Sequence, residues 1–73
     1  MPTAIVTGAS KGLGLALARE LARGGWRLVI DAHGADALEA ARAELAELTE
    51  VVAIRGDVAD GQHRLRLVTA AGS

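Results

Sequence analysis

Thr7-Gly8-Ala9-Ser10-Lys11-Gly12-Leu13-Gly14 is the stretch that decides how this chain folds. It follows a short apolar run, Thr3-Ala4-Ile5-Val6, and precedes a helical pattern in Leu13, Leu17 and Leu21. Strand, glycine turn and helix, in that order, present free backbone N–H groups and a helix N-terminus to a phosphate. Each glycine has a geometric reason to be there. Gly8 can take the positive φ of a sharp exit from the strand. Gly12 leaves no side chain between the helix start and a pyrophosphate, and Gly14 lets the helix lie close on the strand. The spacing is G-x-x-x-G-x-G rather than G-x-G-x-x-G, and no Gly-Lys-Ser/Thr follows Gly8 at the offset of a Walker A loop.

Outward from this turn, strands and helices alternate without a linker or low-complexity segment. Ala4–Thr7 reads as a first strand, buried on both faces because consecutive residues are apolar. The first helix runs from about Gly12 to Arg23 and stops at Gly24-Gly25. Leu28-Val29-Ile30 is a second buried strand, closed by Asp31. Asp36 and Glu39 have the spacing of a capping box. They open a helix with Leu38, Ala41, Leu45 and Leu48 on its apolar face and Glu39, Arg42, Glu44 and Glu47 outward. Val51-Val52-Ala53-Ile54 is a third strand, ended by Gly56-Asp57. Asp60 is positioned to cap a third helix carrying Leu65, Val68 and Ala71, an apolar face that Leu67 blurs. Trp26, after the Gly24-Gly25 turn, is expected to cover the base of the sheet.

This β-α-β-α-β-α order implies an α/β fold with parallel strands and right-handed crossovers. In the strand order 3-2-1 of doubly wound sheets, both complete helices cover one face and only the third covers the other. The first strand is then an unpaired edge, and an exposed apolar edge invites pairing with another chain.

Composition narrows the function classes. At 73 residues the chain is at most one small domain, a size that buries only about 60% of its unfolded surface. It has no cysteine, which fits a reducing compartment. A net charge of −1 gives no electrostatic footprint for nucleic acid or an anionic membrane. No apolar run approaches the roughly 20 residues of a membrane span, and Met1-Pro2-Thr3 lacks the features of a secretory signal, so the cytoplasm is the expected location. Trp26 is the only aromatic residue and Lys11 the only lysine, which excludes any mechanism needing a tyrosine acid or a second lysine. His33 and His63 lie in different segments without a metal-ligand spacing, so no metal site is expected. Arg64 and Arg66 read as a solvated helix face.

Thr7-Gly8-x-x-x-Gly12-x-Gly14 near the N-terminus resembles the cofactor motif of the short-chain dehydrogenase/reductase family. The resemblance extends over nearly the whole chain, through the strand ending at Asp31 and on to Gly56-Asp57-Val58. It implies a partial, incomplete Rossmann-type sheet, with residues 1–73 as the N-terminal half of a dinucleotide-binding domain that stops before the catalytic segment. It also implies a cofactor site drawn from Thr7, Gly8, Ser10, Lys11, Gly12, Leu13, Gly14, Asp31, His33, Asp57 and Val58. In the family, an Asp at the position of Asp57 contacts the adenine, with the backbone of the next residue, here Val58, alongside. Taken on its own, Asp57 also suits a turn or a helix cap.

The identity of the nicotinamide cofactor turns on three residues. An acid at the end of the second strand suits the ribose 2′-hydroxyl of NAD, and basic residues suit the 2′-phosphate of NADP. Asp31 is such an acid, but in an ungapped alignment the family's NAD-selecting Asp falls on Ala32. Lys11 and His33 match positions that are basic in NADP-preferring members. The balance favours NADP over NAD, although Lys11 reads equally well as a solvated loop lysine.

The departure from the family is as informative as the match. Members act through a Tyr acid/base, a Lys four residues on and a Ser, and carry Asn-Asn-Ala-Gly after the fourth strand. This chain has no Tyr, no Asn and no second Lys. No residue inherits a catalytic role, and neither Ser10 nor Ser73 has the partner set of a nucleophile. The expectation is an NAD(P)-binding N-terminal part of a short-chain oxidoreductase, a fragment without activity of its own. Its expected partners are a nicotinamide dinucleotide and the missing C-terminal half, with neither nucleic acid nor membrane. The alternatives are a stand-alone dinucleotide-binding module and a half-domain completed by a complementary chain.

Overall fold

Runs of consecutive aliphatic residues are stable as strands only where both faces are covered, and the three such runs in this chain lie side by side. The computed structural model describes residues 2–72, so Met1 and Ser73, with the reading made for Ser73, lie outside the described residues. Strands β1 (Thr3–Val6), β2 (Arg27–Ala32) and β3 (Val51–Arg55) form a parallel sheet in the order β1-β2-β3. Between and after them run helices α1 (Gly12–Arg23), α2 (Ala35–Ala46) and α3 (Gly61–Ala71). Helix α1 packs on β1 and β2, α2 packs on β2 and β3, and the two helices touch each other. Helix α3 touches all three strands and neither of the other helices, so it covers the opposite face. The α/β class, the strand order and the edge position of β1 are those that the alternating pattern implies.

Central strand β2 shows how the two faces divide. Leu28, Ile30 and Ala32 join Ala18, Ala22, Leu38, Ala41 and Leu45 in the core under α1 and α2. By the period of two, Val29 and Asp31 turn to the face under α3, and both are buried. Trp26 packs against the edge of the α1–α2 core, and its carbonyl accepts a hydrogen bond from the Thr49 hydroxyl at 2.8 Å.

Four local features depart from the sequence reading. The first strand is Thr3–Val6 rather than Ala4–Thr7, because Thr7 already belongs to the turn. Strand β2 continues to Ala32, so Asp31 lies inside the strand instead of closing it; the carbonyls of Asp31 and Ala32 still accept from Ala9 and Gly56. The Asp36–Glu39 capping box does not form. Helix α2 starts from Gly34 with no side-chain cap, and Glu39 is held instead by Arg42 at 2.6 and 2.8 Å, while Leu48 falls beyond the helix end. In α3, Asp60 caps as expected, accepting from the Gln62 N–H at 2.9 Å. Its inward face, however, is His63 and Leu67, and Leu65 and Val68 are 60% and 61% exposed. The helix is rotated so that His63 meets a partner on the sheet, since a buried polar group is tolerated only when bonded.

Across the α1–α2 interface, the Arg19 guanidinium grips the Glu44 carboxylate at 2.5 and 2.9 Å. This hydrogen bonding holds the Glu44 carboxyl below its ordinary value of 4.5 and the Arg19 guanidinium above its own. A carboxylate lowered in the folded state stabilises above its unfolded value and loses that contribution as pH falls through the folded one. The pair is exposed, so the contribution is small. Urea unfolding of the native chain and Glu44→Gln should differ at neutral pH and converge as the pH drops below 4.5. A difference that persists in acid would show that the bridge is not its source. The orientation of α3 gives a second test: Leu67→Ala should cost about 2–5 kcal/mol, whereas Leu65→Ala should stay within about 0.5 kcal/mol. The reverse ranking in urea midpoints would mean that α3 presents its other face.

Candidate functional site

Parallel α/β sheets bind ligands beyond the C-terminal ends of their strands, and the glycine turn leaves β1 at that end. Gly8 has φ +62° and Gly12 φ +61°, a left-handed conformation that side chains disfavour. A Cβ at either position would meet nothing within 4 Å, so the space above both is open. Gly14 differs: a Cβ there would sit 2.3 Å from the Gly8 carbonyl oxygen, because α1 and the turn are in direct contact. Lys11 is the N-cap of α1 in extended backbone, no side chain caps that end, and the first helical turn contains no acid. The positive end of the helix dipole therefore has no side-chain counter-group from its own turn.

Asp31 ties this turn to the sheet. The Gly8 N–H donates to Asp31 Oδ1 at 2.8 Å, and the Ala9 N–H donates to the Asp31 carbonyl at 2.9 Å. The second carboxylate oxygen lies 2.6 Å from His63 Nε2, with side-chain exposures of 3% and 1% for the pair. His63 is the residue that sequence reasoning missed, having been considered only as a metal ligand. The one signal that could have found it is its spacing of four from Leu67, which makes an inward stripe as good as that of Leu65 and Val68.

Between the turn, the end of β2 and the loop after β3 lies a cleft of about 470 Å³. Thr7, Gly8, Ser10 and Lys11 line it from the turn, and Asp31 and His33 from the end of β2 with Ala32 and Gly34. Ala37 and Gly56 add small surfaces, and Val58 closes the far side. The small residues among these carry no chemical signature that a sequence could flag. Of the expected site residues, Gly12, Leu13, Gly14 and Asp57 are not among the cleft-lining ones. Gly12 and Gly14 shape the turn, and Leu13 is exposed on the first turn of α1. Asp57 Oδ1 accepts from the Ala59 N–H at 2.9 Å and lies 3.9 Å from His33 Nε2.

Two arginines brace the rim. Arg64, read from sequence as solvated, donates to the carbonyls of Val58 and Ala59 at 2.9 and 3.1 Å and so fixes the loop that carries Asp57. Arg55 Nε donates to the His33 carbonyl at 3.0 Å. Among the described residues, no three His, Asp or Glu side chains converge as a metal ion would need, and no helix is long and apolar enough to cross a membrane.

Comparison with known proteins agrees with this geometry. The model of the short chain dehydrogenases matches residues 2–73. An L-rhamnose 1-dehydrogenase (NAD(P)(+)) from Azotobacter vinelandii is 45% identical over 74 residues, which cover 94% of this chain and 29% of that protein. The L-sorbose reductase of Gluconobacter frateurii, solved with NADPH and L-sorbose, matches with a TM-score of 0.87 at 31% identity, over 94% of this chain and 27% of that one. An alcohol dehydrogenase from the archaeon Thermococcus sibiricus, solved with 5-hydroxy-NADP, matches with a TM-score of 0.84 at 36% identity, over 96% and 31%. This chain spans less than a third of the length of each of these relatives. With the family pattern matched from Pro2 onward and the glycine turn built at the sheet's C-terminal end, the chain belongs to the short-chain dehydrogenase/reductase family.

Proposed function

We propose that this chain is the NAD(P)-binding N-terminal part of a short-chain oxidoreductase, binding the dinucleotide without turning over a substrate by itself. The observation that most supports it is the uncapped start of α1 beside two left-handed glycines with open space above them. Backbone N–H groups and a helix dipole so arranged suit a pyrophosphate. In this reading Thr7, Gly8, Ser10, Gly12, Leu13 and Gly14 hold the pyrophosphate, and Asp57 and Val58 flank the adenine. When bound, the nicotinamide supplies or accepts the hydride. The acid/base groups for a carbonyl or alcohol substrate are not in this chain, which has no Tyr and no second Lys.

Lys11 and His33 are the basic residues on the cleft and would meet a 2′-phosphate, which favours NADP over NAD. Asp31 has each carboxylate oxygen already bonded and its side chain 3% exposed, so it is poorly placed for a ribose hydroxyl. The relatives solved with NADPH and 5-hydroxy-NADP lend support to the same cofactor class.

A specific observation favours the reading in which further chain completes the fold. Among the described residues strand β1 pairs only with β2, and Ile5, Leu13 and Leu17 are exposed at that edge and on α1. We propose that the remainder of an oxidoreductase covers this edge, in the cytoplasm, either joined to this chain or supplied as a complementary one.

Titration calorimetry tests both parts. Lys11→Ala should weaken NADP+ binding about tenfold and change NAD+ binding less than about twofold; equal losses would remove the preference for NADP. Gly12→Val places a branched side chain in the open space and should abolish binding of both, so undiminished binding would refute the pyrophosphate assignment. A monomeric, cooperatively unfolding chain that binds NADP+ would favour the stand-alone module over the completed fold.

A further inference from the structure

A carboxylate inside a sheet is costly unless its oxygens are bonded, so the surroundings of Asp31 bear directly on the site. Its Oδ1 accepts the Gly8 N–H at 2.8 Å and its Oδ2 lies 2.6 Å from His63 Nε2. His63 belongs to α3, which contributes no residue to the lining of the cleft. Gly56, which does line the cleft, backs the imidazole: a Cβ there would sit 2.3 Å from Nδ1. Nδ1 is buried without a hydrogen-bond partner among the described residues, so the ring's polar tie there is the one to Asp31. With Asp31 ionised, Nε2 is the donor, and this bond fixes the rotation of the carboxylate.

We propose that His63 is a positioning residue for the phosphate-binding turn: by holding one oxygen of Asp31 it aims the other at the Gly8 amide and keeps the turn in its left-handed form. The proposal rests on the dinucleotide reading above and adds to it that affinity for the pyrophosphate depends on α3. The charged groups on the three strands packed against α3 are Arg27, Asp31 and Arg55. Arg27 bonds Glu50 and the Ala70 carbonyl, and Arg55 bonds the His33 carbonyl. In the adjoining loop and helix, Asp57 accepts from Ala59, and Arg64 donates to the carbonyls of Val58 and Ala59. Asp31 is therefore the charged group that His63 answers to.

The test begins with the ligand-free full chain and its Gly8 amide proton, read by NMR. In the native protein this proton should lie downfield, as expected of an amide bonded to a carboxylate oxygen. His63→Leu should shift it upfield, while His63→Gln, which keeps a donor towards Asp31, should retain its position. In binding, His63→Leu should weaken NADP+ about tenfold and adenosine 2′-monophosphate, which lacks a pyrophosphate, by less than about twofold. His63→Gln should restore NADP+ binding. A Gly8 amide that does not move in His63→Leu, or equal losses for the two ligands in that variant, would overturn the proposal. If His63→Leu does not fold, the native ring decides: NMR should find the His63 Nε2 proton hydrogen-bonded to Asp31, and its absence would overturn the proposal. A native chain that fails to bind NADP+ would refute the proposed function, whereas the ligand-free Gly8 result stands apart from it.

Discussion

Asp31 sits in the central strand with its side chain turned to the face under α3, where an ionised group is tolerated only if its oxygens are bonded. Three parts of the molecule follow from that requirement. The turn bends so that the Gly8 amide reaches Oδ1, α3 rotates so that His63 reaches Oδ2, and position 56 carries no side chain because the imidazole fills the space. The rotation leaves Leu65 and Val68 in water. Turning them inward would surrender the burial of Leu67 and leave the Asp31 carboxylate without its His63 partner, and a buried carboxylate is tolerated only when bonded.

The two sides of the sheet serve different ends. Under α1 and α2 the core is Ala, Leu, Ile and Val without a polar side chain, and alanines at 18, 22 and 41 let the helices lie close on the strands. Under α3 the buried Asp31 and His63 link that helix to the turn at the mouth of the cleft. The first side holds the sheet together. The second joins a helix just behind the cleft wall, through His63 and Asp31, to the Gly8 amide at its edge.

Much of this was readable from residues alone. Glycines at 8, 12 and 14 indicated the turn, because only a few backbone geometries need glycine at that spacing. The alternation of apolar runs with helical periods indicated parallel strands, and the order of doubly wound sheets, once assumed, put β1 at an exposed edge, as observed. Asp60 was recognisable as a cap because capping is local, decided within one helical turn. Asp36 and Glu39 had an equally good local pattern that did not form, since Glu39 found Arg42 and the chain entered α2 through Gly34. A local pattern decides a cap only when no neighbouring side chain competes for it.

The sequence by itself determined the class of fold, the glycine turn and the absence of a Tyr and second Lys, because each is a matter of inventory or short-range spacing. Only the tertiary structure decided which groups the Asp31 carboxylate bonds. It also decided which face α3 buries and that Arg64 braces the loop after β3. Those outcomes depend on partners 23 and 32 residues away for Asp31, and no spacing rule reaches across a sheet. The physical reason is that a buried charge takes the partner that the packed chain brings within hydrogen-bond distance, whatever its neighbours in sequence suggest.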